Sequence, residues 1–376
     1  MNIWGITGTN GKTTSTWVLA EFLRAGGRKC GYVTTVEVDD GARKFCTGYT
    51  TPPLSMLKDI FSAMQKNGMT DCAMEVSSHA IHQRRFGDTV FSGGAFTNLT
   101  EDHLDYHKTM EAYFDAKLDF ARIIAAQAQP LPSAGRRDLP PYAICLDGGN
   151  GAKMYEAVGN LPLNVIPVTA AHPRFDLSGL KLAGRYNQSN VLLAATLAEA
   201  AGVPHGTIQS TIPKLCPRWG RLEEMHTQSK ARVFVDYAHT DDALRNVLST
   251  VREFTRGKVW AVFGAGGDRD PMKRPLMGRA AADAADCLVV TSENPRSENP
   301  DEIIRQIVSG IDASRIGSSS RNVVVEPDRR KAILFALAQA EPGDTVVVCG
   351  KGHETTQEIK GVKYPFDDRA ICREYH

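Results

Sequence analysis

The sequence has almost no excess charge. Its 44 Lys and Arg stand against 43 Asp and Glu, a formal net charge of +1 over 376 residues. That balance argues against a nucleic-acid partner and against a charged membrane surface. No apolar run approaches the roughly 20 residues needed to span a bilayer. No signal peptide is expected either, because a strand-like apolar segment starts at Asn2. The eight cysteines show no metal-type pairs, and several lie in apolar runs, as Cys349 does after Val346, Val347 and Val348. They read as buried, reduced thiols of a cytoplasmic protein. No repeat of solenoid period is visible.

What is present is an alternation of short apolar strands with amphipathic helices, the pattern of α/β units with a mostly parallel sheet. Strands are expected at 2–7, 29–34, 71–76, 93–97, 142–146 and 164–168, with helices near 13–24, 53–66, 110–126 and 187–201. The segment 127–141, rich in Pro, Ala and Arg, reads as a surface loop. A second series has strands at 232–236, 258–264, 286–291, 322–325 and 344–349. Its helices fall near 241–254, 274–285, 300–310 and 329–340. Each series has its own strand set, so two α/β domains are expected, 1–217 and 218–376, joined near Cys216–Arg221. The first would be a P-loop ATPase domain and the second Rossmann-like.

The first domain opens on Ile6-Thr7-Gly8-Thr9-Asn10-Gly11-Lys12-Thr13-Thr14 between a strand and a helix. Backbone N–H groups and the positive end of a helix dipole meet at such a junction and favour an anion. Lys12 would reach the outer phosphates of a nucleotide, and the Thr13 hydroxyl would hold Mg²⁺. The spacing is G-x-x-G-K-T, shorter than the standard loop, which has a glycine where Ile6 stands.

Two more strands run into polar clusters. Asp71–Val76 ends at Glu75, followed by Ser77, Ser78 and His79. Ligands bind at the carboxyl ends of strands in open α/β sheets, so Glu75 is well placed to hold a metal beside phosphates. The plainer alternative has Ser77 or Ser78 capping the next helix. Phe96–His107 gathers two histidines and three carboxylates within seven residues, more than a solvated turn requires. Lys117, ten residues on, looks by composition like an ordinary surface lysine. The second domain offers Gly220–Glu223, Asp236–Thr240, Gly264–Asp270, Thr291–Arg296 and Gly350–Glu354. All five are expected to follow strands, placing charged, glycine-rich loops on one binding edge.

Taken together and in this order, these runs resemble the Mur ligase family across essentially the whole chain. These are ATP-dependent enzymes that add an amino acid to the carboxyl end of a cell-wall peptide precursor in peptidoglycan biosynthesis. The nearest branch extends UDP-N-acetylmuramoyl-L-alanyl-D-glutamate, commonly with meso-diaminopimelate. The resemblance implies phosphoryl transfer from ATP to the acceptor carboxylate, then attack by the incoming amine on the acyl phosphate. Lys12 and Arg221 would balance charge on the moving phosphoryl group. Gly8, Thr9, Asn10, Gly11, Lys12, Thr13 and Thr14 would hold the phosphates. Asn187 or Asn190, with Asp236 and His239, would meet the rest of the nucleotide. Thr13, Glu75, His103 and Lys117 match the Mg²⁺ sites, Lys117 as the family's carbamylated lysine. Thr50, Thr51, Ser77, Gln83 and Arg85 match the acceptor site. Arg269, Glu293, Asn294, Arg296, Gly350 and Glu354 match the amino-acid pocket, where Arg296 suits a second carboxylate.

Two departures stand out. The family carries an N-terminal domain of about a hundred residues that grips the uridine nucleotide, whereas this sequence opens on the phosphate-loop strand. The expectation is a chain without that module, taking a smaller acceptor or a partner protein that supplies it, and otherwise monomeric. In addition, the family's Asp-Asn-Pro-Arg motif begins with Glu293 here, which moves a carboxylate by about one C–C bond. The alternatives are a relative serving another pathway, a P-loop ATPase without ligase activity, and a non-catalytic binding relative.

Overall fold

In the computed structural model, residues 1–127, 139–315 and 323–375 are described. Contacts divide the chain into two compact units, Met1–Leu215 and Cys216–His376.

The first unit runs β1 (Asn2–Thr7), α1 (Lys12–Ala25), β2 (Cys30–Val33), β3 (Val38–Asp39), β4 (Lys44–Phe45), α2 (Leu54–Lys66), β5 (Asp71–Glu75), α3 (Ser78–His82), β6 (Gly93–Phe96), α4 (Leu104–His107) and α5 (Met110–Gln127). It continues with β7 (Pro141–Cys145), α6 (Gly151–Val158), β8 (Asn164–Val168), α7 (Arg185–Ala200) and α8 (His205–Thr211). The sheet order is β4-β3-β2-β5-β1-β6-β7-β8. It is parallel from β2 to β8, and β3 and β4 add an antiparallel edge. β1 lies between β5 and β6, with Ile6 opposite Glu75 on one side and Ala95 on the other. Strands buried on both faces read as continuous apolar runs, which is why β1, β5 and β6 were legible. Phe86, Phe91, Phe96, Phe120, Tyr113 and Tyr142 belong to one buried core cluster.

The second unit contains β9 (Glu223–Met225), β10 (Arg232–Asp236), α9 (Asp241–Phe254), β11 (Val259–Phe263), α10 (Lys273–Ala284), β12 (Cys287–Val290), α11 (Pro300–Val308), β13 (Val323–Val325), α12 (Arg329–Gln339) and β14 (Thr345–Cys349). The hairpin β15 (Thr356–Ile359) and β16 (Val362–Pro365) and the helix α13 (Asp368–Arg373) complete it. Its sheet order is β13-β12-β11-β14-β10-β9, parallel except for β9.

The expected strand–helix alternation is present in both units. Several elements lay outside it. β3, β4 and β9 have two or three residues each, too short for a period to be read, and α3 and α4 are single turns. β9 also corrects one expectation: Gly220–Glu223 precedes a strand and does not follow one. The expected loop at 127–141 and the expected strand start at Asn322 lie mainly outside the described residues. No helix among the described residues is long and apolar enough to cross a membrane.

Candidate active site

In the first unit the polar residues collect where β1, β5 and β6 end. Gly11 sits at the N terminus of α1 with φ 84°, and no side chain caps that end. A Cβ on Gly11 would lie 2.2 Å from Asn190 Oδ1, and one on Gly8 would lie 1.8 Å from Thr97 Oγ1. Only glycine fits either place. The loop is held from β6: Thr9 N donates to Asn98 O (2.9 Å), Asn10 N to Asn98 Oδ1 (2.9 Å) and Thr97 Oγ1 to Asn10 O (2.6 Å). The result is a rigid turn delivering a helix N terminus, the arrangement that suits phosphate.

Lys12 folds back over this turn and donates to Gly8 O (2.9 Å) and Thr9 O (2.8 Å). Lys117, which composition alone marked as a surface residue, is 1% exposed and donates to Gly8 O at 2.8 Å. Burial, reinforced by the charge of Lys12, pushes its amine well below the ordinary lysine value. Glu75 is equally buried. Its Oε1 accepts from Thr13 Oγ1 (2.8 Å) and Thr35 N (2.8 Å), and its Oε2 from Thr35 Oγ1 (3.0 Å). Thr35 was missed in the sequence, since it lies in an unremarkable bend after β2.

His103 adopts φ 56° at the start of α4, half-buried, with Nε2 3.4 Å from Asp102 Oδ2. Desolvation, aided by the neighbouring His79, Lys12 and Lys117, holds it down at about 3 against the pull of Asp102. It is therefore neutral, as a metal-binding imidazole must be. Among the described residues no three His, Cys, Asp or Glu side chains form a metal-holding group. The candidate set holds two of those types, Glu75 and His103. The oxygen donors Thr13 and Glu75 suit a hard cation, and a carbamate on Lys117 would add more oxygens.

The proposed acceptor residues form a chain around Glu75. Thr51 Oγ1 donates to Glu75 O (2.9 Å) and accepts from Ser77 N (3.0 Å), while Thr50 Oγ1 lies 3.0 Å from Thr35 Oγ1, whose single proton goes to Glu75. Arg85 donates to Thr51 O (3.1 Å) and Gln83 Oε1 (2.8 Å), and Gln83 in turn to Tyr106 OH (3.1 Å). Ser77 also caps α3, its Oγ accepting from Ala80 N at 3.2 Å. Asn187 and Asn190 are buried on α7, and Asn190 packs against Gly11.

In the second unit the loops after β10, β11, β12 and β14 carry the polar residues. Arg221 lies over the Tyr237 ring at 4.3 Å. Asp236 takes main-chain N–H groups on both oxygens, from Leu222 (2.6 Å) and Ala238 (2.7 Å). Burial raises its carboxyl, with Arg221 opposing. His239 is exposed, its Nδ1 2.8 Å from Tyr237 O. Lys351, fully buried, donates to Asn294 Oδ1 (3.1 Å), Glu354 Oε2 (2.9 Å) and Thr356 O (2.6 Å), and Asn294 Nδ2 donates to Glu354 Oε2 (2.8 Å). Burial disfavours ionised Glu354, but Lys351 and Asn294 outweigh it and hold the carboxyl below its ordinary value. Lys351 was passed over in the sequence because a lysine in a glycine-rich loop reads as solvated.

Arg296, with φ 50°, donates to Gly267 O and has Nε 4.0 Å from Glu358 Oε2. Arg269 is exposed, its guanidinium reaching Asp268 O at 3.4 Å, and a Cβ on Gly266 would meet its Cγ at 3.8 Å as well as Arg296 Nη1 at 3.1 Å and Glu293 Oε1 at 3.7 Å. Glu293 is buried, with Oε2 lacking any hydrogen-bond partner, and a Cβ on Gly350 (φ 113°) would lie 3.2 Å from that atom. Burial raises its carboxyl, helped by the charge of Glu354.

A glycine-rich strand-to-helix turn in one α/β unit and a set of carboxylate, amide and guanidinium groups at strand ends in another are the features to be compared with nucleotide-dependent ligases. Residues 6–128 match the Mur ligase middle domain and residues 220–352 the Mur ligase, glutamate ligase domain. The chain belongs to the Mur ligase family and is an ATP-dependent ligase. It is 38% identical to the UDP-N-acetylmuramoyl-L-alanyl-D-glutamate–2,6-diaminopimelate ligase of Geobacillus kaustophilus (strain HTA426), over 99% of this chain and 78% of that protein. A solved structure of a ligase of the same name superposes with TM-score 0.60 at 32% identity, covering 99% of this chain and 77% of that one. A pseudomurein peptide ligase type C from Methanothermus fervidus gives TM-score 0.67 at 14% identity over 94% of this chain and 76% of that one, a likeness of fold alone.

Proposed function

We propose that this ligase joins an amino acid of the diaminopimelate type to the carboxylate of a muropeptide-like or smaller acid acceptor, using ATP and Mg²⁺ in the cytoplasm. The observation that carries this reading is the gathering of Lys12, Lys117, Thr13 and Glu75 around the Gly8–Thr14 turn. The first unit is assigned to the ATP phosphates and the acceptor, and the second to the amino acid and the remaining nucleotide contacts.

The turn from Gly8 to Thr14 holds phosphates, and Lys12 exchanges its two loop carbonyls for their oxygens. Thr13 and Glu75 would hold Mg²⁺, with His103 and a carbamate on Lys117 at a second position. The metal supplies charge neutralisation on the phosphates. A carbamate forms only from an unprotonated amine, the state that burial of Lys117 favours. Thr50, Thr51, Ser77, Gln83 and Arg85 orient the acceptor carboxylate. Arg221 is assigned to phosphoryl charge, and Asn187, Asn190, Asp236 and His239 to the nucleotide or the turns that receive it.

Asn294 and Glu354, locked by Lys351, present an amide and a carboxylate to a zwitterionic amino acid. Arg296 answers its second carboxylate, while Glu293, Gly350 and Arg269 line the approach. Such a pocket repels a lysine side chain where it welcomes diaminopimelate.

The test is ADP release measured across a panel of amino acids and of acceptors with and without a UDP group. Release that requires both an amine and an acid acceptor, and is greatest with diaminopimelate, supports the reading. Amine-independent release would leave a plain ATPase.

A further inference from the structure

Tyr113 on α5 is 1% exposed and belongs to none of the site sets above. Its hydroxyl lies 3.1 Å from Thr9 Oγ1 in the phosphate loop. Thr9 Oγ1 also donates its single proton to Thr100 O (3.3 Å) and accepts from Thr100 N (3.1 Å). Tyr113 is therefore the donor to Thr9. One helical turn along, Lys117 Nζ lies 4.7 Å from the centre of the Tyr113 ring and donates to Gly8 O. Residues four apart share a helix face, so one face of α5 grips two consecutive loop residues, Gly8 and Thr9.

The ring is itself fixed. His107 stacks on it, with centroids 5.1 Å apart and an interplanar angle of 26°, and His107 Nε2 lies 2.9 Å from Ser78 Oγ. His103 approaches edge-on at 6.0 Å. A side chain serving only to fill the core would need neither the hydroxyl bond to the loop nor the Lys117 nitrogen at its ring. A leucine would fill the same space.

We propose that Tyr113 is a positioning residue that holds the phosphate loop in its nucleotide-receiving shape and sets Lys117 against it. The hydroxyl acts on the loop through Thr9, and the ring acts on Lys117. This rests on the reading that the loop holds nucleotide phosphates.

The experiment is a calorimetric titration of the full chain with Mg-ADP, together with steady-state kinetics in ATP and melting without nucleotide. Lys12→Ala should lose affinity, which tests the loop reading itself; wild-type affinity there would overturn both that reading and this one. Tyr113→Phe removes one hydrogen bond and keeps the ring. It should weaken Mg-ADP about fivefold, roughly 1 kcal/mol, and raise KM for ATP with kcat retained and little change in melting. Tyr113→Leu should lower kcat as well, since Lys117 loses its ring. Adding Thr9→Val to Tyr113→Phe should cost no more than Thr9→Val alone, because both cut the same bond.

Wild-type affinity in Tyr113→Phe alongside loss in Lys12→Ala, or multiplying losses in the double variant, would overturn the proposal. Should Tyr113→Phe fail to fold, Tyr113→Leu reads the loss of the hydroxyl in the same titration, and wild-type Mg-ADP affinity there would overturn the role.

Discussion

Lys12 and Lys117, on different helices, donate to one carbonyl oxygen, that of Gly8, at 2.9 and 2.8 Å. Burial disfavours a charge on Lys117 and the nearby charge of Lys12 adds to this, so the Lys117 amine is pushed well down while Lys12 keeps a second carbonyl, Thr9 O. The pair is thus divided into a cation that can swing to phosphate and an amine able to react with carbon dioxide.

Lys12→Ala is expected to cut ATP turnover by roughly a hundredfold or more, the scale of losing one charge that stabilises a transition state. The fold should survive, because the bonds of Lys12 to Gly8 O and Thr9 O lie within the loop itself. Lys117→Ala should be equally slow but recover part of its rate in millimolar acetate or formate, small carboxylates that fill the place of a carbamate. Turnover by Lys12→Ala near that of the wild type would remove the phosphate assignment, and the absence of any rescue would remove the carbamate.

Glu293 supplies a pH-dependent expectation. The folded chain holds this carboxyl above its ordinary value of 4.5, mainly through burial. Below that value the group is protonated folded and unfolded alike, and it costs nothing. As pH rises through the folded value, ionising a buried carboxyl whose Oε2 has no partner erodes stability. Glu293→Gln should therefore melt higher than the wild type at pH 8 and level with it at pH 4. An equal difference at both pH values would show that ionisation is not the cause. Glu293→Asp, which shortens the carboxylate by one C–C bond, should shift the ranking of amino acids in the ADP-release panel while leaving KM for ATP unchanged.

A buried ion pair underlies the same loops. Arg329 and Asp368 are both fully buried and joined by two hydrogen bonds, of 2.9 and 2.6 Å. Arg329 also donates to Cys349 O at 2.9 Å and reaches Ser292 O at 3.5 Å, the residues just before Gly350 and Glu293. Breaking such a pair leaves a buried charge alone, at a cost of about 3–5 kcal/mol. Asp368→Asn should lose that much in urea unfolding. A loss under 1 kcal/mol would mean that water reaches the pair.

How much of this was legible depends on whether a residue's role is local. The strands β1, β5, β6, β10, β11, β12 and β14 announce themselves by apolar runs, and the loop at Gly8–Thr14 by its glycines and Gly11-Lys12-Thr13. Lys117 is different. Its sequence neighbours are those of an ordinary amphipathic helix, and only the packing of α5 against the end of β1 buries it. Thr35, Tyr113 and Lys351 were missed for the same reason, since each matters through a partner distant in sequence or hidden by the fold.

The cysteines give a last test that depends on burial alone. Cys46 and Cys216 are exposed; Cys30, Cys72, Cys145, Cys287, Cys349 and Cys372 are buried, and none is in a disulfide. Desolvation disfavours the thiolate, which is the reacting species. It pushes Cys30 up to about 12, with Asp71 adding to the effect, and raises Cys72, Cys145, Cys349 and Cys372 as well. A thiol reagent at pH 8 should therefore titrate two groups quickly in the native protein and all eight in denaturant. A third fast thiol under native conditions would contradict the packing of one strand or helix, and labelling each cysteine by mass would identify which. Fewer than eight in denaturant would mean that a disulfide forms between residues placed apart here.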